Sequence, residues 1–304
     1  MRTTKTKRTG DRADLIFYCL LIALPLLQIA IFYFYVNFNS ILMAFQRYVT
    51  LEDKFILDFK YNFTLLAQDI KNYLLIDALK NSVIVWIFTS VLGTFLSILF
   101  SYYIYKKWVV GKTFKFFLFM PSVLPSILLV SVFQFFVNEA IPGYMSELFG
   151  KTITGLLVDK DSLMPTLLFY NVWVSFGAQI LIYTGAMDQI SPDIMEAGKV
   201  DGVMPLQEFF LIVIPIILPT ISTFLVANIA MLFSNQANLY AFFGDSNSIG
   251  PESYTIGYYL FLLVNKAGNG KTMYTYASAL GIVCTLIAFP LTLGVRKLLN
   301  RGEE

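Results

Sequence analysis

The ten residues "NKAGNGKTMY", Asn265 to Tyr274, contain Gly270-Lys271-Thr272, the sequence with which a nucleotide-binding phosphate loop ends. In such a loop backbone N–H groups cradle the phosphates, the lysine neutralises them and the hydroxyl holds magnesium. The spacing fails here, because the glycine needed five positions before Gly270 is Asn265. The setting fails too. A strand must enter the loop and a helix must leave it, yet the apolar runs "YTIGYYLFLLV" and "YTYASALGIVCTLIAFPLTL" flank it. Other reactive groups are scarce. The chain has no histidine, which removes the commonest general base and metal ligand. Cys19 and Cys284 sit inside apolar runs and read as small buried hydrophobes rather than as a disulfide. No catalytic residue and no metal site is expected.

The elements that position these residues are membrane helices. Of 304 residues 57% are hydrophobic and 14% charged, against about 25% charged in soluble domains. Twenty-nine Phe and 18 Tyr suit interfacial and lipid-facing positions. A helix crosses the hydrocarbon core in about 20 apolar residues. Six stretches meet that length: 15–36, 82–105, 114–137, 163–185, 209–234 and 274–295. The first follows a basic terminus but is too long for a cleaved signal and has no small-residue cleavage site, so it reads as a retained span. The expected fold class is therefore an all-α integral membrane protein with six transmembrane helices.

Charge sets the expected orientation. Arg2, Lys5, Lys7, Arg8 and Arg12 precede the first span, Lys106, Lys107, Lys112 and Lys115 follow the second, and Arg296, Lys297 and Arg301 follow the sixth. With six spans these segments share one side, which the positive-inside rule makes cytoplasmic, with both termini. The loops 37–81, 138–162 and 235–273 then lie outside. The run 254–264 is too short to span and reads as an interfacial or re-entrant helix. The "GNGKT" loop falls on the extracytoplasmic side, away from ATP.

The remaining cytoplasmic segment, 186–208, breaks the charge pattern with Asp188, Asp193, Glu196, Asp201 and Glu208 against Lys199. Ser191-Pro192-Asp193 reads as a helix start with Ser191 as N-cap. "DIMEAGKV" makes a short helix, Asp201-Gly202 a turn with Gly202 at positive φ, and "MPLQEFF" a second helix entering the fifth span. The segment is either a rigid knob presented to the cytoplasm or an amphipathic connector.

Residues 196–219, "EAGKVDGVMPLQEFFLIVIPIILP", resemble the EAA signature of ABC-importer membrane subunits: Glu-Ala-Ala, three residues, Gly, nine residues, Ile-x-Leu-Pro. Glu196, Ala197, Gly202, Ile212 and Pro215 match, while Gly198 and Ile214 depart mildly. Asp201-Gly202, Gln207-x-Phe209 and Pro219 resemble the carbohydrate branch, the maltose and glycerol-phosphate type permeases, as do Asn81-Ser82 and "YASALGI". The resemblance implies a type I importer permease with a basic terminus (1–13), a first helix and loop (14–78), a core of five spans (79–297) and a tail (298–304). It implies a multi-pass subunit of the bacterial cytoplasmic membrane that forms half of a pore for a carbohydrate. Partners would be a homologous second permease, two ABC ATPase subunits carrying the ATP and magnesium, an extracytoplasmic solute-binding protein and membrane lipid, with no nucleic acid and no cofactor in this chain. Glu196, Ala197, Gly198, Asp201, Gly202 and Pro205 would couple to the ATPase.

Asn171, Ser175 and Gln179 form a polar stripe on the fourth span, and Asn228 and Asn235, seven apart on the fifth, are candidates to line the same path. Buried polar groups in a bilayer face protein or a watery cavity, so the stripe either lines a substrate path or bonds helices together. Ser90, Thr94, Ser97 and Ser101 on the second span read as a packing seam. Tyr170, Trp173, Tyr240 and Tyr258 are either sugar-stacking residues or interfacial anchors. Two other classes fit the sequence less well. A secondary transporter would want buried charges within its spans, and a membrane-embedded enzyme would want catalytic groups. A non-sugar solute such as glycerol phosphate stays open.

Overall fold

The computed structural model describes residues 10–245, 249–265 and 271–300. The basic terminus 1–9, Lys266 to Gly270 of the glycine-rich loop, and the tail 301–304 lie outside them. In chain order the elements are α1 (Asp14–Ala44), β1 (Gln46–Val49), β2 (Lys54–Leu57), α2 (Tyr61–Lys71), α3 (Leu74–Tyr105), α4 (Gly111–Val123), α5 (Ser126–Phe149), α6 (Lys160–Met187), α7 (Pro192–Val200), α8 (Pro205–Ala230), α9 (Leu239–Phe243), α10 (Ile256–Asn265) and α11 (Thr272–Leu299). Six of them, α1, α3, α5, α6, α8 and α11, are long and apolar enough to cross a membrane.

The third span is not where the hydropathy placed it. The stretch 114–137 is divided, because Leu124 (ψ 143) and Pro125 (ψ 130) are extended between α4 and α5. Proline lacks an N–H and pushes the residue before it out of the helical region. An apolar run continues across this break, so composition alone missed it. The span begins at Ser126 and ends at Phe149. Likewise α8 ends at Ala230, which leaves Asn235 beyond the fifth span. Among the described residues the helices are joined by one short antiparallel hairpin, with Gln46 opposite Leu57 and Val49 opposite Lys54.

The described residues fall into two compact units, one within Met1–Ala67 and Ala267–Ile282, the other within Gln68–Lys266 and Val283–Glu304. In the first, Asp14 to Leu42 of α1 are exposed on every side, which is a surface suited to lipid rather than water. Asn62, fully buried, donates to the carbonyls of Ala44 (2.9 Å) and Gln46 (2.8 Å) and accepts from Thr275 Oγ1 (3.3 Å). That side chain joins the end of α1, the hairpin and the start of α11. Cys19 is exposed on α1, contrary to the buried expectation, while Cys284 is buried on α11.

In the second unit α3 packs along α6. Serines make the close approach possible: Ser97 Oγ donates to Gly93 O (2.7 Å) and reaches Gln179 Oε1 (3.1 Å), and Ser101 Oγ donates to Ile180 O (3.1 Å). Small side chains let two backbones approach where no water is available to drive apolar contact. Gly177 does the same for α4. A Cβ there would lie 2.9 Å from Leu118 O.

Candidate functional site

The 186–208 segment is built as a rigid knob. Ser191 occupies the N-cap position of α7 and Pro192 its first turn, but the Ser191 side chain makes no cap hydrogen bond. Instead its carbonyl receives Ile194 N–H at 3.2 Å. At the other end Gly202 has φ +74°. Val203 N–H donates to Gly198 O (3.0 Å) and Gly202 N–H to Lys199 O (3.1 Å). This six-to-one and five-to-two pair closes the helix through a residue in the left-handed region, which only glycine enters at no steric cost. Gln207 Oε1 then accepts from Met204 N–H (3.0 Å) and starts α8.

What holds the knob is apolar. Ile190 and Met195 enter a buried cluster with Tyr183 and Met187 of α6 and Phe209 and Val213 of α8. Ile190 and Met195, on the loop, contribute about 1.5–3 kcal/mol each when fully removed from water. Gly198 faces inward, where a Cβ would meet Ile212 Cδ1 at 2.9 Å. Glycine in place of the signature's second alanine therefore makes room for Ile212. Glu196, Ala197, Asp201, Gly202 and Pro205 are exposed around this anchored edge.

Glu208 does not belong to that acidic surface. It is buried, with Lys106 Nζ 2.9 and 3.0 Å from its two carboxylate oxygens and Tyr102 OH donating at 2.9 Å. Tyr102 OH also lies 2.9 Å from Pro205 O. Lys106 had been legible only as one member of a basic loop; its pairing across more than 100 residues of chain had no local signal.

The five path candidates separate in the structure. Asn171 is buried, donating to Leu167 O (2.8 Å) and Ala237 O (2.9 Å) and accepting from Asn238 Nδ2 (2.8 Å). Ser175 sits where a Cβ on Gly93 would be 3.0 Å from its Oγ, and Gln179 meets Ser97. Asn228 is half-buried and its carbonyl accepts from Trp86 Nε1 (3.0 Å). Asn235 is exposed; its Oδ1 accepts from Ala237 N–H (2.8 Å) and supports a turn in which Ala237 and Asn238 both have positive φ. An open cleft of about 420 Å³ is lined by Asn235, Ser234, Gln236, Asn238 and Tyr240. Of the aromatics, Tyr170 and Tyr258 are core residues, whereas Tyr240 is exposed beside Phe261.

Residues 90–302, which include the knob and all five path candidates, match the family described as binding-protein-dependent transport system inner membrane component. The chain belongs to this family. The inner-membrane component is 26% identical over 179 residues to the multiple sugar-binding transport system permease protein of Streptococcus mutans, covering 58% of this chain and 60% of that one's length. It is 25% identical over 273 residues to the arabinooligosaccharides transport system permease protein of Halalkalibacterium halodurans, covering 88% and 83%. Its fold matches a chain in the crystal structure of a bacterial ABC transporter involved in import of the acidic polysaccharide alginate, with TM-score 0.77, 19% identity and coverage of 96% and 98%.

Proposed function

We propose that this inner-membrane component is the permease subunit of a binding-protein-dependent importer for a carbohydrate, driven by ATP hydrolysis on partner subunits. The observation that carries this reading is the knob itself, an exposed edge of Glu196, Ala197, Asp201, Gly202 and Pro205 on a helix anchored into the core by Met195 and closed by Gly202. A surface helix so fixed transmits force instead of absorbing it, since packed interiors deform little. Two ATPase subunits with their ATP and magnesium would dock there, on the cytoplasmic side together with both termini. A homologous second permease would complete the pore, and an extracytoplasmic binding protein would deliver substrate.

Sugar transport by the streptococcal and Halalkalibacterium relatives, and alginate import by the structural neighbour, support the substrate class. Among the path candidates, Asn235 and its cleft are the most accessible to a solute, while Asn171, Ser175 and Gln179 bond within the protein. The test is uptake of labelled oligosaccharides by a deletion strain carrying the wild-type chain or Gly202→Asp. Restored uptake by the wild type alone, with both proteins equally abundant in the membrane, supports the reading. Uptake that is independent of the ATPase subunits would defeat it.

A further inference from the structure

The sequence "KKWVVGKTFK" runs from the end of α3 into α4, and of its lysines only Lys106 joins the Glu208 ion pair. We infer that it forms a binding site for the phosphate headgroup of an anionic membrane phospholipid. A cleft of about 560 Å³ lies between the ends of α3 and α6 and the start of α4, lined among others by Lys107, Lys112, Thr113, Lys115 and Asp188. Three lysines against one carboxylate leave it positive. Among the described residues none of the three lysines forms an ion pair. The start of α4 adds donors: its N-cap is Val110, no side chain caps it and no acid occupies its first turn. Gly111 N–H is taken by Trp108 O (3.0 Å); the Lys112 and Thr113 N–H groups that follow it, next to lysine side chains, are complementary to a phosphate oxygen.

Lipid, rather than a soluble anion or a protein, follows from the rim. Lys107 and Val110 take positive φ (53° and 63°), which folds the loop into a tight turn. Its tip exposes Trp108 by 43%, Val109 by 82% and Val110 by 62%. An apolar tip with an indole, flanked by lysines at the end of the second span and at the start of α4, has the composition of a segment seated at headgroup depth. The tip would enter the acyl boundary while Lys107, Lys112 and Lys115 close around the phosphate.

The test places the full chain in nanodiscs of phosphatidylcholine with and without phosphatidylglycerol and measures the lipid retained on mild detergent extraction. The wild type should retain phosphatidylglycerol selectively. Lys107→Gln/Lys112→Gln/Lys115→Gln should weaken retention by about a hundredfold, from the loss of three lysine contacts with an anionic surface. The corresponding triple arginine variant should keep it. Should the triple glutamine variant fold poorly, Lys112→Gln/Lys115→Gln, at the start of α4, provides the same comparison. Equal retention by wild type and glutamine variants overturns the inference. So does displacement of phosphatidylglycerol by millimolar inorganic phosphate, which would make this a soluble-anion site. Glutamine variants that retain the lipid in nanodiscs but lose the ATPase subunits when the assembled transporter is purified would assign the cleft to a protein partner and overturn it as well.

Discussion

Lys106 Nζ and the Glu208 carboxylate form a bidentate ion pair at 2.9 and 3.0 Å that ties the end of the second span to the start of the fifth. The Glu208 side chain is 6% exposed and the Lys106 side chain 18%. Burying two charges costs several kcal/mol each, which their attraction offsets only with good geometry and further hydrogen bonds. Tyr102 supplies one such bond and also reaches Pro205 O, in the turn that carries the knob. The pair therefore serves the placement of the knob more than net stability.

Lys106→Met should lower the stability of the purified protein by about 3–5 kcal/mol, because it strands a buried carboxylate. Lys106→Met with Glu208→Gln should recover much of that loss. A double-mutant cycle on denaturant midpoints measures the coupling. Additive losses would show that the pair is not formed.

At Gly202 an added Cβ meets nothing within 4 Å, so the cost at that atom is the positive φ, about 1 kcal/mol or more. Gly202→Asp should therefore insert and fold with a modestly lower midpoint, yet abolish uptake. Co-purification of the ATPase subunits and their turnover with and without loaded binding protein give the readout. Normal coupling in this variant removes the knob from the mechanism.

Asn171→Ala leaves the buried Ala237 carbonyl without its side-chain donor, a loss of about 1–3 kcal/mol. Gly177→Ala forces a Cβ to within 2.9 Å of Leu118 O and should cost about 1–3 kcal/mol through overpacking. Both should lower the thermal midpoint and leave the order of substrate preference unchanged. A changed preference at an unchanged midpoint would place Asn171 in the path instead.

Lys271 Nζ lies 2.6 Å from Asp53 Oδ1. The Lys271 hydrogen bond, then that from Tyr48, holds the Asp53 carboxyl below its usual 3.8, while the hydrogen bond to Asp53 raises Lys271 above 10.5. A carboxyl depressed on folding contributes stability above its unfolded pKa and loses it as pH falls through the folded value. A raised lysine contributes below its unfolded pKa and loses it as pH rises through the folded value. The midpoint difference between wild type and Lys271→Ala should be flat from about pH 5 to 9 and shrink beyond either end. ATP turnover by the assembled transporter should change by less than about twofold, as befits an exposed loop substitution. Loss of nucleotide binding would restore the phosphate-loop reading.

Periodicity and special residues determined much of this protein by themselves. Uninterrupted apolar runs of about 20 residues specify spans because a bilayer leaves the backbone no hydrogen-bond partner but its own helix. Five of the six expected stretches fall largely within the observed helices for that reason, though the first and second helices each extend eight residues further at one end. The Gly202 turn appears where a local steric rule acts. The third span escaped because Pro125 interrupts the backbone without interrupting hydropathy. The site residues that depend on distant chain were legible only in the folded protein. Glu208 reads as one more acid in an acidic loop until the fold brings Lys106 to it, and Asn171 is ambiguous until Ala237 and Asn238 arrive. Residue type shows that a polar group in a span must be satisfied; which atom satisfies it, across tens of residues, is decided by how the helices pack.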